Sequence, residues 1–126
     1  MTIRNIAQDS WRDELDSFSR QHEGWIVSIK TRSHGGAVAV AARDVPLQGV
    51  SLASPRSGDI AISVGGTRGH LTHEIHDPAA VEVDLTADEA EHALIIHGRD
   101  GTTTSIELRS PMRPEDVDGL PAAGNR

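Results

Sequence analysis

The sequence predicts an α+β domain in which an N-terminal helix packs on an antiparallel sheet of about seven short strands, curled into a sandwich or barrel-like form. One stretch near the N-terminus has apolar residues at helical spacing, whereas the rest alternates apolar and polar residues in short runs. Gly-rich turns, and no helix-length segments, separate these runs. Parallel strands need long crossover connections, so the short turns argue against a parallel α/β sheet.

The helix is predicted over residues 10–21. Its apolar face is formed by three residues at i, i+4 and i+7: Trp11, Leu15 and Phe18. Ser10 and Asp13 have the spacing of a capping box, in which the two side chains satisfy free backbone N–H groups at the helix start. Gly24 follows at the position where a left-handed residue commonly ends a helix.

Seven strands are predicted after the helix, over residues 25–29, 37–42, 60–64, 70–75, 81–85, 92–97 and 103–108. Residues 45–50 are not predicted to be a central strand, because Pro46 has no N–H to donate to a ladder. The Gly-rich residues 65–69 are predicted to be a hairpin turn, since a phosphate-binding loop would require a helix to follow.

The chain of 126 residues has the length of one domain. We expect a flexible N-terminus over residues 1–9, a single α+β domain over residues 10–110 and a disordered acidic tail over residues 111–126. The tail is predicted because this segment is rich in Pro and Gly and shows no apolar periodicity.

Charge and composition exclude several classes of function. Nineteen acidic residues outnumber twelve basic ones, for a net charge of −7, which argues against nucleic acid or an anionic membrane as partner. The absence of cysteine excludes disulfides, thiol catalysis and Cys-type zinc sites. No secretory signal pattern and no apolar run of ~20 residues is found, so the expected location is the cytoplasm.

Three sequence blocks carry a resemblance to a known family. They are DSFSRQHEGW at residues 16–25, DVPLQGVS at 44–51 and HLTHEI at 70–75. In this order and spacing the chain resembles, from about residue 11 to 109, a family of small bacterial proteins that is classed only as a domain of unknown function. The resemblance implies no activity and no catalytic residue.

Metal binding is tested first at the histidine-rich segment HLTHEIH. On a helix, His70 and Glu74 would share a face, but β-branched residues and the flanking turn signals favour a strand. In a strand these two residues stand about 13 Å apart, too far to share an ion. Asp88, Glu89 and Glu91 are interpreted as a solvated acidic loop rather than a calcium loop. No metal site is therefore predicted.

The candidate ligand-binding residues are His22, Glu23, Trp25, His70 and His73. His73 is predicted on the core face of its strand, either as a neutral histidine bonded to a backbone carbonyl or hydroxyl, or as a ligand or proton-transfer group in a cleft. His22 extends the apolar helix face by one turn and is either a cation at the helix C-terminus or a member of the same site.

Two functions stay open. The first is a non-catalytic protein-binding or structural module whose partner is another protein or a second copy, because no nucleophile–base pair, phosphate loop or metal quartet is found in the sequence. No cofactor and no catalytic residue is predicted. The alternative is a small ligand- or metal-binding protein, or an enzyme, with a histidine site around His22 and His73. Whether these two side chains meet in space distinguishes the alternatives.

Overall fold

The computed structural model describes residues 2–54, 58–66, 69–88 and 90–112. Its single α-helix in this part of the chain is α1 (Trp11–His22), which follows a short 3₁₀ turn (Gln8–Ser10). Its strands are β1 (Thr2–Ile6), β2 (Ile26–Arg32), β3 (Val38–Ser54), β4 (Asp59–Gly66), β5 (Gly69–Ile75), β6 (Pro78–Leu85), β7 (Glu91–Gly98) and β8 (Thr103–Met112).

The strands form one open sheet with the order β1-β6-β7-β8-β2-β3-β4-β5, and every neighbouring pair is antiparallel. A mostly antiparallel sheet with one N-terminal helix is therefore confirmed, with eight strands rather than about seven. The hairpin predicted around residues 65–69 is confirmed by the pairing of Gly66 with Gly69.

The apolar face of α1 is buried as its spacing predicts, and the helix ends before Gly24, whose φ is +85°. The predicted capping box is wrong, because the Ser10 side chain makes no capping hydrogen bond. Ser10 has φ −102° and ψ 0°, since it belongs to the 3₁₀ turn that runs directly into α1, and it lacks the extended backbone of a capping residue.

Residues 2–6, predicted as part of a flexible N-terminus, instead form β1. All five residues of β1 pair with residues 81–85 of β6. The predicted flexibility of residues 2–6 is therefore wrong. The sequence did not indicate this strand, because only Ile6 is buried and the strand has almost no apolar periodicity. Its backbone nevertheless pairs with β6, and Trp11 Nε1–H donates to the Ile6 carbonyl at 3.0 Å. The predicted tail lies largely outside the described residues, which end at Met112.

Pro46 lies inside β3, contrary to the prediction that residues 45–50 are not a central strand. The backbone groups of Leu47 bond towards β2, with its N–H on the Trp25 carbonyl and its carbonyl on the Gly24 N–H, both at 2.8 Å. The backbone N–H and C=O groups of successive residues in a strand point to opposite neighbouring strands. The Pro46 nitrogen is therefore directed towards β4, and the pairing of β3 with β4 begins only at Leu47. No ladder hydrogen bond is lost.

β3 bends where it exchanges neighbours. Residues 38–46 pair with β2 and residues 47–54 with β4, and bulges interrupt both ladders. Asp44 adopts φ +51° at the bend. The second half of β3 is held to α1 by Ser19, whose hydroxyl accepts from the Val50 N–H at 2.7 Å and donates to the Val50 carbonyl at 2.8 Å. The helix thus covers one half of β3 and leaves the other uncovered.

Candidate functional site

The first half of β3 has an open backbone edge. Residues 38–42 pair with β2 on one side, whereas the pairing of β3 with β4 begins at Leu47. No described strand pairs with residues 38–42 on their second side. We call this segment the β3 edge. It reads VAVAA and carries no charge, and Val38 and Val40 are 57% and 41% exposed.

An apolar notch of about 480 Å³ lies between the bend of β3 and the β4–β5 hairpin. Its walls include Ala42, Val45 and Pro46 from β3, and Val64 and Leu71 from the hairpin. Leu71 is 44% exposed. The notch and the β3 edge therefore adjoin each other and share Ala41 and Ala42.

His70 lies at the rim of this notch, where its Nδ1 is 2.7 Å from Gln48 Nε2. The amide nitrogen can only donate, so Nδ1 accepts and the neutral ring carries its proton on Nε2. Gln48 Nε2 also donates to the Gly65 carbonyl at 3.3 Å. His70 is thus bound to the β3 bend, and it faces solvent rather than a metal or a second histidine.

His22 is fully buried at the end of α1 between two aromatic rings. Its ring centroid lies 4.4 Å from that of Phe18 and 5.0 Å from that of Trp25. Nδ1 lies 2.9 Å from the Phe18 carbonyl, which can only accept, so Nδ1 carries the proton. Nε2 is therefore the atom that titrates, and it lies 3.4 Å from Glu91 Oε1.

Glu91 was expected in a solvated loop, and this prediction is wrong, because Glu91 begins β7 and is buried. Neither His22 Nε2 nor Glu91 Oε1 has a hydrogen-bond partner among the described residues. Burial lowers the pKa of His22 and raises the pKa of Glu91. Arg4 of β1 lies 3.8 Å from the second carboxylate oxygen and opposes the latter effect. A single proton between the two unpartnered atoms would satisfy both.

One feature of the sequence could have indicated that Glu91 is buried. It lies two residues before Ala93, so in a strand it shares the face of that buried residue. An acidic residue next to Asp88 and Glu89 is more often solvated, and the buried histidine opposite it is remote in sequence. Asp88 itself is exposed in a turn, as predicted. The acidic composition around Glu91 therefore predicted a solvated side chain, whereas the structure has it buried.

His73 lies elsewhere, in a polar pocket of about 300 Å³. Its strand neighbour is the buried Ile62, which places His73 on the inner face of β5, half-buried. Thr31 of β2 and Thr104 of β8 line the same pocket, so it lies where the inner face of β5 approaches β2 and β8.

His76 lies at the rim of this pocket and is 73% exposed. Its Nδ1 is 3.1 Å from Asp59 Oδ2, and its Nε2 is 3.8 Å from Glu74 Oε1. The hydrogen bond and charge of Asp59 raise the pKa of His76 above its usual value of 6.5.

The five candidate residues of the sequence are thus distributed over three places. His22 and Trp25 are in contact, and Glu23 is exposed beside them. His70 borders the notch, and His73 lines the polar pocket. Phe18, Trp25 and Glu91, which surround His22, do not line the pocket of His73. Within residues 2–54, 58–66, 69–88 and 90–112, no three histidine, aspartate or glutamate side chains are grouped to hold a metal ion.

The chain belongs to a family of unknown function, DUF5335, whose model matches residues 2–117. No curated protein matches this chain. Its fold is similar to that in the crystal structure of the Bacillus subtilis YojF protein, with a TM-score of 0.51 and 14% sequence identity. The similarity covers 89% of this chain and 98% of the other, and it concerns the fold alone. Among the described residues, no helix has both the length and the apolar character to span a membrane.

Proposed function

We propose that this protein is a non-catalytic structural module that assembles with a second copy of itself through the β3 edge. The observation that carries the proposal is an unpaired and uncharged strand edge, Val38–Ala42, in the middle of an otherwise paired sheet. Unpaired strand edges accept further strands unless charge, proline or a covering element prevents it. Residues 38–42 have neither a charge nor a proline.

The other two edges of the sheet differ in this respect. β1 carries Arg4, and β5 carries His70 and Glu74. Charged side chains on an edge disfavour the approach of another strand, because pairing would desolvate them. The β3 edge instead exposes two valines, and exposed apolar surface next to an open edge is typical of an interaction site.

A second copy is the occupant that fits these properties. The chain carries a net charge of −7, so two copies repel each other least where they meet through an uncharged surface. Two β3 edges pairing antiparallel about a two-fold axis bring only Val and Ala residues together. Such a contact is isologous and closed, so it ends at a dimer and does not continue into fibres. Leu71 and the notch flank the contact and add apolar area.

The test is the mass of the full-length protein in solution, measured by sedimentation velocity from micromolar to millimolar concentration. The wild type is expected to be a dimer and V40K a monomer, because a lysine on each edge places two like charges at the contact. I3K on β1 is the matched control, since Ile3 is an apolar residue of similar exposure, 50%, on another edge strand. Circular dichroism confirms that each variant is folded.

A wild-type monomer over the whole range would overturn the proposed self-association. Dissociation by I3K with a dimeric V40K would move the contact to β1 and equally overturn it. A wild-type species larger than a dimer would contradict a closed two-fold contact. The proposal stands only if V40K is monomeric while the wild type and I3K are dimeric.

A further inference from the structure

The polar pocket beside His73 contains hydrogen-bonding groups that the fold does not use. Thr104 is only 2% exposed and lines this pocket, yet its side chain makes no hydrogen bond with any described residue. The half-buried side chains of His73 and Thr31 also have no hydrogen-bond partner in the described part of the chain. Buried polar side chains are nearly always satisfied, by protein, by water or by a ligand. Thr104 of β8 is such a group, and the half-buried side chains of Thr31 of β2 and His73 of β5 converge with it on one pocket.

The rim of the pocket has a different character from its floor. Glu74 and Asp100 contribute two carboxylates, and Glu74 is 51% exposed. The Asp100 carboxylate accepts the Thr102 N–H at 2.9 Å, and this bond lowers its pKa, so it stays ionised. His76 is engaged by Asp59 and faces Glu74. The rim therefore favours a cation, and the floor favours hydroxyl groups, which both donate and accept.

We propose that this pocket binds a small amine that carries several hydroxyl groups, an amino polyol, with its hydroxyls on Thr31, His73 and Thr104 and its ammonium at Glu74 and Asp100. This site is separate from the β3 edge and goes beyond the proposed assembly. A volume of about 300 Å³ is at the small end of ligand pockets and suits a molecule with a six-carbon chain.

Other ligand classes fit the lining less well. An anion would meet the two rim carboxylates in a chain that is already strongly acidic. A purely apolar molecule would leave the floor hydroxyls and the imidazole without partners. A metal ion has no group of three suitable side chains among the described residues.

The experiment uses the full-length protein and a pair of six-carbon probes, glucamine and sorbitol, which differ in that an ammonium replaces one hydroxyl. Binding is followed by ¹⁵N–¹H NMR at about pH 7.5. Glucamine is expected to shift the amides of residues 31, 73, 74 and 104, and to bind roughly tenfold more tightly than sorbitol, the effect of one charge-assisted hydrogen bond.

Two variants divide the site into its parts. T104V removes one hydroxyl without changing volume and is expected to weaken glucamine about fivefold, the effect of one neutral hydrogen bond. E74Q is expected to reduce the preference for glucamine over sorbitol, because only Asp100 then remains to bind the ammonium. T72V is the matched control, because Thr72 is an exposed threonine of the same strand that does not line the pocket, and its affinity is expected to equal that of the wild type.

Failure of glucamine to shift these amides would overturn the site. Equal binding of the two probes by the wild type would overturn the ammonium position, and so would an E74Q variant that keeps the full preference. Equal weakening by T104V and T72V would show a general effect on β5 or β8 and not a hydrogen bond in the pocket. Every variant is compared only after its spectrum shows the wild-type dispersion of a folded protein.

Discussion

His22 and His76 are two histidines that each face a carboxylate, and their pKa values move in opposite directions. His22 lies 3.4 Å from Glu91 inside the molecule, and burial lowers its pKa. His76 lies 3.1 Å from Asp59 at the surface, and the carboxylate raises its pKa. The difference shows that a nearby carboxylate does not by itself decide the charge of a histidine. Loss of solvation outweighs the pairing at His22, because neither atom of that pair has a hydrogen bond to the other.

Replacement of His22 by alanine is expected to have the largest effect. The variant loses a fully buried ring between Phe18 and Trp25 and the hydrogen bond from Nδ1–H to the Phe18 carbonyl. The free energy of unfolding, measured by urea denaturation, should fall by about 3 kcal/mol. The matched variant H76A should unfold at the wild-type urea concentration. Equal losses in the two variants would contradict the contrast drawn between the two environments.

The pH dependence of stability is the next largest effect. The folded pKa of His22 is below its usual value of 6.5, so the unfolded chain takes up a proton that the folded chain refuses. The stability contributed by neutral His22 is therefore complete above pH 6.5 and is lost as the pH falls towards the folded pKa. The free energy of unfolding should decrease by up to about 1.4 kcal/mol per pH unit in that window.

Urea titrations between pH 7.5 and pH 5 measure this slope directly. His76 acts in the opposite sense, since its raised pKa favours the folded state as the pH falls. Glu91 also does so, from its raised folded pKa down to its usual value of 4.5. H22Q retains a polar side chain of similar size but does not titrate, so the acid loss should disappear in this variant. Persistence of the full slope in H22Q would assign it to other groups.

A smaller and opposite effect is expected for E91Q. The substitution removes a buried carboxylate whose Oε1 has no hydrogen bond, and it supplies an amide N–H directed at the acceptor His22 Nε2. The variant should be more stable than the wild type at pH 7 by on the order of 1 kcal/mol, even though Arg4 loses a partner. The gain should vanish below pH 4.5, where both states of the wild type are protonated. E14Q is the comparison: it removes a charge that contributes to the raised pKa of Glu91 but leaves the buried carboxylate in place, so its gain should be clearly smaller.

The smallest effect is confined to His76 itself. An NMR titration of its imidazole protons should give a midpoint above 6.5, because Asp59 stabilises the charged ring. In D59N the midpoint should return towards 6.5, while the remaining side-chain oxygen still accepts the Asp77 N–H. A midpoint that does not move in D59N would exclude the carboxylate as the cause.

The elements with strong apolar periodicity were predictable from the sequence, and those that depend on remote pairing were not. The α1 stripe, including His22, is buried because burial follows directly from spacing along a helix. β1 was missed because its stability comes from backbone pairing with β6, some eighty residues away, which leaves no pattern in its own side chains. Pro46 was misjudged because its position is set by the exchange of neighbours along β3, a property of the sheet order.

The candidate sites show the same division. His22 and Trp25 were both candidate site residues, and their rings are in contact, as residues close in sequence can be. It placed His73 on the inner face of its strand, where the structure has it. The groups around these residues, Glu91 for His22 and Thr31 and Thr104 for His73, come from strands far away in the chain. The identity of a candidate side chain and the face on which it lies can therefore be predicted from the local sequence. The groups that surround it depend on which strands are neighbours in the sheet.

The pairing of β1 with β6 also has a consequence for synthesis on the ribosome. β1 is made first, but its partner spans Pro78–Leu85, and the Glu91 that faces His22 follows later still. The β4–β5 hairpin, whose strands are adjacent in the chain, can close as soon as it emerges, because local contacts form fastest. β1 must therefore remain unpaired until β6 has been translated, whereas α1 can pack earlier against β3, to which Ser19 binds it. Nascent chains arrested before residue 78 should depend on chaperones, and those arrested after β8 should not.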